Sequence, residues 1–155
     1  MTQLIASSKL KVVAGLGVTG LSVARHLNEM GERFVVLDRR ASPPCLAQLQ
    51  GELPEVSLIL GEFSDDAFLG ADEVILSPGL SRQHPAIKTA VEAGIPVISD
   101  IELFARCTSA PIVAITGSNG KSTVTTLVGE MFAEAGIAAA VGGNLGVPAL
   151  DLLSP

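Results

Sequence analysis

Six short β-rich runs alternating with helical stripes, and two glycine loops each set between a strand and a helix, predict an α/β protein built on parallel sheet. The runs are Lys11-Val12-Val13-Ala14, Phe34-Val35-Val36-Leu37, Val56-Ser57-Leu58-Ile59-Leu60, Val74-Ile75-Leu76, Pro96-Val97-Ile98 and Ile112-Val113-Ala114-Ile115. Strands covered on both faces read as continuous apolar runs of this kind, and parallel neighbours need a crossover between them.

The crossovers follow in order. After the first run, Leu21, Ala24 and Leu27 recur at helical spacing, and Gly31 closes that helix where a left-handed residue is favoured. Ile87, Ala90 and Val91 repeat the pattern before Gly94. Asp100 to Arg106 predicts a short helix, Thr108-Ser109-Ala110-Pro111 a polar turn, and Val124, Leu127, Val128 and Met131 the strongest apolar stripe of the chain. Met30, Met131 and Phe132 are assigned to the core by their spacing, His26 to a polar helix face, and His84 to a helix start before Pro85. Asp65-Asp66 reads as a solvated turn, Asp72-Glu73 as the polar start of a strand, and Glu102 and Phe104 as packing between domains.

A boundary falls near Ser99, dividing the chain into a parallel-sheet domain over residues 1–98 and an incomplete second α/β domain over 99–155. The second unit has too few strands before Pro155 to cover both faces of a sheet, so the chain is expected to stop within that domain.

Of 155 residues, 48% are hydrophobic and 17% charged, enough apolar material for a core and unlike a disordered chain. A net charge of -6 with only 10 Lys and Arg argues against nucleic-acid partners, as does an aromatic content of 3% without Trp or Tyr. Cys45 and Cys107 have neither metal-ligand nor disulfide-framework spacing and read as reduced thiols. No apolar run approaches the ~20 residues of a membrane span, and Met1 to Lys11 lacks a cleavable leader, so a cytoplasmic protein with no membrane partner is expected.

Gly15-Leu16-Gly17-Val18-Thr19-Gly20 fits G-x-G-x-x-G between a strand and a helix, and Asp38 ends the next strand at about 20 residues' distance, a Rossmann-like arrangement. Glycines let backbone N–H groups approach a pyrophosphate, and the helix N-terminus adds partial positive charge. The same glycines also suit a tight turn with no ligand, and the loop alone does not choose among NAD, FAD and a UDP-sugar. Arg39 and Arg40 are placed to reach a phosphate or base, or equally to form a solvated charge pair.

Thr116-Gly117-Ser118-Asn119-Gly120-Lys121-Ser122-Thr123 precedes the strongest helical stripe, and its Gly-Lys-Ser tail marks a phosphate loop for a nucleoside triphosphate. Backbone amides cradle phosphate oxygens, Lys121 supplies a compact charge and is the candidate catalytic residue, and the Ser122 hydroxyl is a candidate Mg²⁺ ligand. The general pattern places glycine six positions before the lysine, where this chain has Ile115.

The compact T-G-S-N-G-K-S-T form resembles the ATP loop of the Mur ligases and the related folylpolyglutamate synthetases. With G-L-G-V-T-G, Asp38-Arg39-Arg40, Ser77-Pro78-Gly79, Asp100-Ile101-Glu102-Leu103-Phe104 and Gly142-Gly143-Asn144 in the same order, the chain resembles the D-glutamate-adding branch of the Mur ligase family over nearly its whole length. The resemblance implies a Rossmann-like UDP-binding domain followed by the start of a P-loop ATP-binding α/β domain. It further implies that Gly17, Val18 and Thr19 contact the diphosphate of a UDP-sugar, that Asp38, Arg39 and Arg40 surround the uracil, and that Ser77 and Asn144 touch the substrate. Gly117, Ser118, Asn119, Gly120, Lys121, Ser122 and Thr123 then hold the phosphates of ATP, with Mg²⁺.

The implied reaction transfers the γ-phosphate of ATP to the carboxylate of UDP-N-acetylmuramoyl-L-alanine, giving an acyl phosphate that the amine of D-glutamate attacks. It serves peptidoglycan precursor synthesis and needs the remaining central and carboxy-terminal domains of a longer chain. The 155 residues alone are therefore expected to bind without turnover. An NAD-dependent oxidoreductase and a non-catalytic nucleotide-binding module are the competing readings; the second glycine loop counts against the first of these.

Overall fold

Five strands form one parallel sheet: β1 (Leu10–Ala14), β2 (Arg33–Asp38), β3 (Ser57–Leu60), β4 (Glu73–Leu76) and β5 (Val97–Ser99). Their spatial order is β3-β2-β1-β4-β5. These observations come from a computed structural model that describes residues 9–64, 66–144 and 146–153. The expectations for the first eight residues and for Asp65 lie outside the described residues.

Pairing begins in the middle of the sheet, where β1 runs beside β2 with Val13 opposite Val36 and beside β4 with Ala14 opposite Leu76. The chain travels outward from β1 to β2 and β3, returns to the other side of β1 for β4, and continues outward to β5. Neighbouring loops therefore leave in opposite directions at the carboxyl ends of β1 and β4, which opens a crevice there.

Successive residues of β1 supply the two sides of the core. Val13 packs with Leu21, Ala24 and Leu27 of α1 (Val18–Glu29), Leu49 of α2 (Leu46–Glu52) and Leu103 of α5 (Asp100–Cys107). Val12 and Ala14 pack with Phe68 of α3 (Asp66–Leu69) and with Ala86, Ile87 and Ala90 of α4 (Pro85–Glu92). Side-chain alternation on a strand thus buries every second residue against opposite helical layers. Phe63 meets the Phe68 ring edge to face, with centroids 5.2 Å apart.

Local chemistry fixes the helix ends. Gly31 and Gly94 have φ of 68° and 82°, the left-handed values expected of them. Ser99 caps α5 by accepting from the Glu102 N–H at 3.1 Å. Arg25 of α1 grips Glu52 of α2 through two bonds of 2.6 and 2.8 Å, and Arg106 of α5 reaches Glu73 of β4 at 2.7 Å. Asp72 and Glu73 thereby do more than begin a strand in solvent: the Asp72 carboxylate also accepts from the Leu10 N–H at 2.7 Å.

Beyond α5 the structure departs from expectation. Residues 112–115 form no strand and, among the described residues, pair with none; Ile112, Val113 and Ala114 are exposed. α6 (Lys121–Glu134) forms, but none of its residues is buried; Leu127 is 52% and Met131 69% exposed. The expected stripe is covered only in part: Val128 and Phe132 are half-buried and Gly129 lies against Val141, while Leu127 and Met131 face solvent. Met30 is also outside the core at 56% exposure, because it caps the solvent side of α1, and Phe132 is only half-buried. The chain then returns to the sheet domain through a 3₁₀ turn, Ala149–Leu152, whose Ala149 and Leu150 are buried. Asp151 accepts from the Ser22 hydroxyl of α1 at 2.5 Å. Among the described residues no helix is long and apolar enough to cross a membrane.

Candidate functional site

The crevice at the carboxyl edge holds a cavity of about 450 Å³. Its floor is the first glycine loop, in which each glycine has a different physical task. Gly15 turns the chain at φ 98°, and a Cβ built on it would stand 2.9 Å from the Ser77 Cβ. Gly20 lies inside α1 against the Gly15 carbonyl oxygen, which any Cβ would overlap. Gly17, the residue before α1, has open space where its Cβ would be. The loop is closed by packing at its first and third glycines and open to a ligand at its second.

The first intrahelical bond of α1 runs from the Leu21 N–H to the Gly17 carbonyl, and no side chain caps the helix. The N–H groups of Val18 and Thr19 precede this first donor and have no acceptor within the helix. Partial positive charge gathers at such a terminus, where an anion is favoured.

Asp38 ends β2 at the cavity wall and is only 3% exposed. Its Oδ2 accepts from the Leu16 N–H at 2.6 Å and from Arg40 Nη2 at 2.6 Å. Its Oδ1 accepts from the Arg40 N–H at 2.8 Å and from Arg40 Nε at 2.9 Å. Burial would raise its pKa, but the Arg40 guanidinium and the two backbone N–H groups prevail and hold it at about 2. A dinucleotide site needs this carboxylate to receive a ribose diol. Here Arg40 folds back and occupies both oxygens. Arg39, beside it, makes no ion pair among the described residues and lines the cavity.

On the opposite wall, Ser77 begins a turn through Pro78 and Gly79 that closes when the Leu80 N–H donates to the Ser77 carbonyl at 3.0 Å. The Ser77 hydroxyl donates to the Gly15 carbonyl at 3.1 Å, tying the β4 turn to the glycine loop. Asn144 arrives from far along the chain, carried by a loop in which the Gly143 N–H donates to the Val147 carbonyl at 2.8 Å. Gly17, Val18, Thr19, Asp38, Arg39, Arg40, Ser77 and Asn144 thus all line one cavity. Leu80 lines it as well and was not singled out from the sequence; its signal is its position directly after a Ser-Pro-Gly turn.

The second loop stands apart and exposed. Gly117 and Gly120 adopt φ of 154° and 74°, and Gly120 leads into α6. Lys121 curls back so that its ammonium donates to the Gly117 carbonyl, closing the loop on itself. Ser118 and Asn119 form the crown of the loop, with Ser122 and Thr123 in the first turn of α6. This geometry suits a phosphate chain: left-handed glycines, an uncapped helix N-terminus and a cation within the ring. Among the described residues no group of three or more His, Cys, Asp or Glu could hold a metal ion. At the loop, Ser122 offers a single hydroxyl oxygen.

The family profile described as Mur ligase MurD-like, N-terminal domain, matches residues 9–99. The chain belongs to this MurD-like family. UDP-N-acetylmuramoylalanine--D-glutamate ligase of Pseudomonas fluorescens is 54% identical over 151 residues, covering 97% of this chain and 34% of that protein. The Marinobacter nauticus protein of the same name is 50% identical over 149 residues, covering 96% and 33%. The chain therefore spans about a third of the length of these MurD-like relatives.

Among solved structures, UDP-N-acetylmuramate:L-alanyl-gamma-D-glutamyl-meso-diaminopimelate ligase from Neisseria meningitides is 21% identical with a TM-score of 0.56, covering 92% of this chain and 46% of that one. UDP-N-acetylmuramate-alanine ligase from Thermotoga maritima is 22% identical with a TM-score of 0.53, covering 82% and 29%. Both share the α/β fold of this MurD-like chain.

Proposed function

We propose that this chain is the amino-terminal part of an ATP-dependent ligase that joins D-glutamate to UDP-N-acetylmuramoyl-L-alanine in peptidoglycan precursor synthesis in the cytoplasm. The observation that carries this reading is the convergence of the eight residues expected at a UDP-sugar, from four separate stretches of the chain, on one cavity at the sheet's switch point. More than 50% identity to the Pseudomonas fluorescens ligase over nearly the whole chain supports it.

In this reading the N–H groups at the start of α1 hold the diphosphate, with Gly17 leaving the space. Arg39 and the outer face of the Asp38–Arg40 pair meet the uracil, while Ser77 and Asn144 bound the sugar side. The second loop holds ATP: Gly117 to Gly120 supply backbone donors, and Lys121 exchanges its Gly117 carbonyl for phosphate oxygens. Thr123 reinforces the helix terminus, and Ser122 is one Mg²⁺ ligand among others. When bound, ATP would supply the phosphoryl group and the ion, with Lys121, would offset its negative charge. The reading assigns residues 1–98 to the UDP-sugar domain and 99–155 to the start of the ATP domain. Turnover requires the rest of the protein, so the 155 residues alone bind but do not ligate.

The test is an amide NMR titration of the 155-residue chain with UDP-N-acetylmuramoyl-L-alanine and, separately, with NADH. Shifts at Gly17, Val18, Thr19 and Arg39 with the UDP-sugar alone are expected. Shifts at those residues with NADH alone would overturn the ligase reading in favour of a dinucleotide enzyme.

A further inference from the structure

Cys107 and His26 face each other across the groove between α5 and α1, with Sγ 3.4 Å from Nε2. They belong to neither glycine loop. The groove is a cavity of about 880 Å³, walled also by Arg25, Arg106, Ser109 and Asp151. Cys107 is exposed, whereas the other thiol, Cys45, is buried.

We propose that Cys107 is a nucleophilic modification site, with His26 as its general base and a low-molecular-weight disulfide such as oxidised glutathione as its co-reactant. The Cys107 thiol gives its proton to Nε2 of neutral His26. The thiolate attacks one sulfur of the glutathione disulfide, its S–S bond breaks, and a Cys107–glutathione mixed disulfide forms. The departing glutathione thiolate takes up the proton held by His26. Cysteine is oxidised by one disulfide and one glutathione is reduced, so atoms and electrons balance.

The setting makes the base necessary. Cys107 is the last residue of α5, where the negative end of the helix dipole opposes a thiolate. A thiol there without a partner would react more slowly than one in an unfolded chain. His26, 3.4 Å away, supplies a proton acceptor there, and burial, by lowering its pKa, keeps the ring in the neutral form that can take the proton. Glu29 raises it and Lys11 lowers it more weakly.

The groove also suits a small anionic thiol compound. Arg25 and Arg106 flank it with partly exposed guanidinium groups, although both are already paired, Arg25 with Glu52 and Asp151 and Arg106 with Glu73 and Glu102. They moderate the acidity of the walls and can share their outer N–H groups with the carboxylates of glutathione.

The experiment exposes the reduced 155-residue chain to oxidised glutathione at neutral pH, quenches with acid and follows intact mass and peptide map over time. One adduct, on Cys107 and absent from Cys45, is expected. Its rate should be roughly tenfold that of Cys107 in the urea-unfolded chain, and His26→Gln should bring it below the unfolded rate. Equal native and unfolded rates in the parent chain would overturn the proposal, with no variant required. A His26→Gln chain that keeps the parent's amide spectrum and reacts as fast as the parent would overturn it too.

Discussion

The two glycine loops of this chain share a plan and differ in what surrounds them. The first lies between a strand paired on both sides and a helix that buries six residues. The second precedes a helix that buries none and follows a segment, residues 112–115, that joins no sheet among the described residues. Both nevertheless reach left-handed glycine conformations and an open helix N-terminus. Loop geometry is thus a local property of glycine placement, while a sheet needs partners distant in sequence. A glycine loop can reach its local form where a supporting core is absent.

Core truncation should separate the loops most strongly. Leu27→Ala, in a side chain 1% exposed, should cost about 2–5 kcal/mol of unfolding free energy, measured by urea denaturation, whereas Leu127→Ala on α6 should stay within about 0.5 kcal/mol. A comparable loss at Leu127 would mean that α6 is packed in solution and would erase the contrast.

A second comparison uses the glycines themselves. Gly20→Ala forces a Cβ into the Gly15 carbonyl and should cost about 3 kcal/mol or more, since backbone must move. Gly120→Ala meets no atom and carries only left-handed strain, about 1–2 kcal/mol. Thermal melting of both variants would order them.

Asp38 gives the first loop a pH signature. Its folded pKa, about 2, lies below the ordinary 3.8, so the folded state binds fewer protons than the unfolded state between those values. The stability it adds is fully present above about pH 4 and lost as pH falls through about 2; it is on the order of 2 kcal/mol. Asp38→Asn should flatten the stability curve over that window, as followed by urea midpoints at successive pH values.

The smallest effect expected on the fold comes from Lys121→Ala. It removes an exposed side chain, so the melting temperature should hardly move, yet ATP affinity measured by calorimetry should fall at least tenfold because the loop loses its cation. UDP-sugar affinity should be unchanged. Parallel losses at both ligands would show the two loops to be coupled.

What the sequence revealed follows the same division. The central strands were legible because apolar runs such as Val12-Val13-Ala14 are buried on both faces, the edge strands through β-branched and apolar content alone, and Gly31 and Gly94 marked helix ends through their own backbone preference. α2 and α3 were not read: one contains Gly51, the other is a single turn, and neither shows a full helical period. Residues 112–115 were read as a strand because β-propensity is visible locally, while pairing is not. Eight of the twelve residues lining the cavity had been expected at a UDP-sugar site, chiefly through a resemblance, but the return of Arg40 onto Asp38 was not foreseen. Two charged neighbours look the same in sequence whether they clasp or point apart.

The 3₁₀ turn at Ala149–Leu152 has a topological consequence. With α5 at one end and this turn at the other both seated on the sheet domain, the intervening segment is an anchored excursion and not a dangling tail. Its second glycine loop is therefore tethered to the sheet domain through both ends of the excursion. Tethering of that kind raises the local concentration of one site around the other, and the entropic cost of the closure grows only slowly with the length of the excursion. The hook formed by Asp151 and Ser22 thereby fastens the far end of the excursion that carries the second glycine loop.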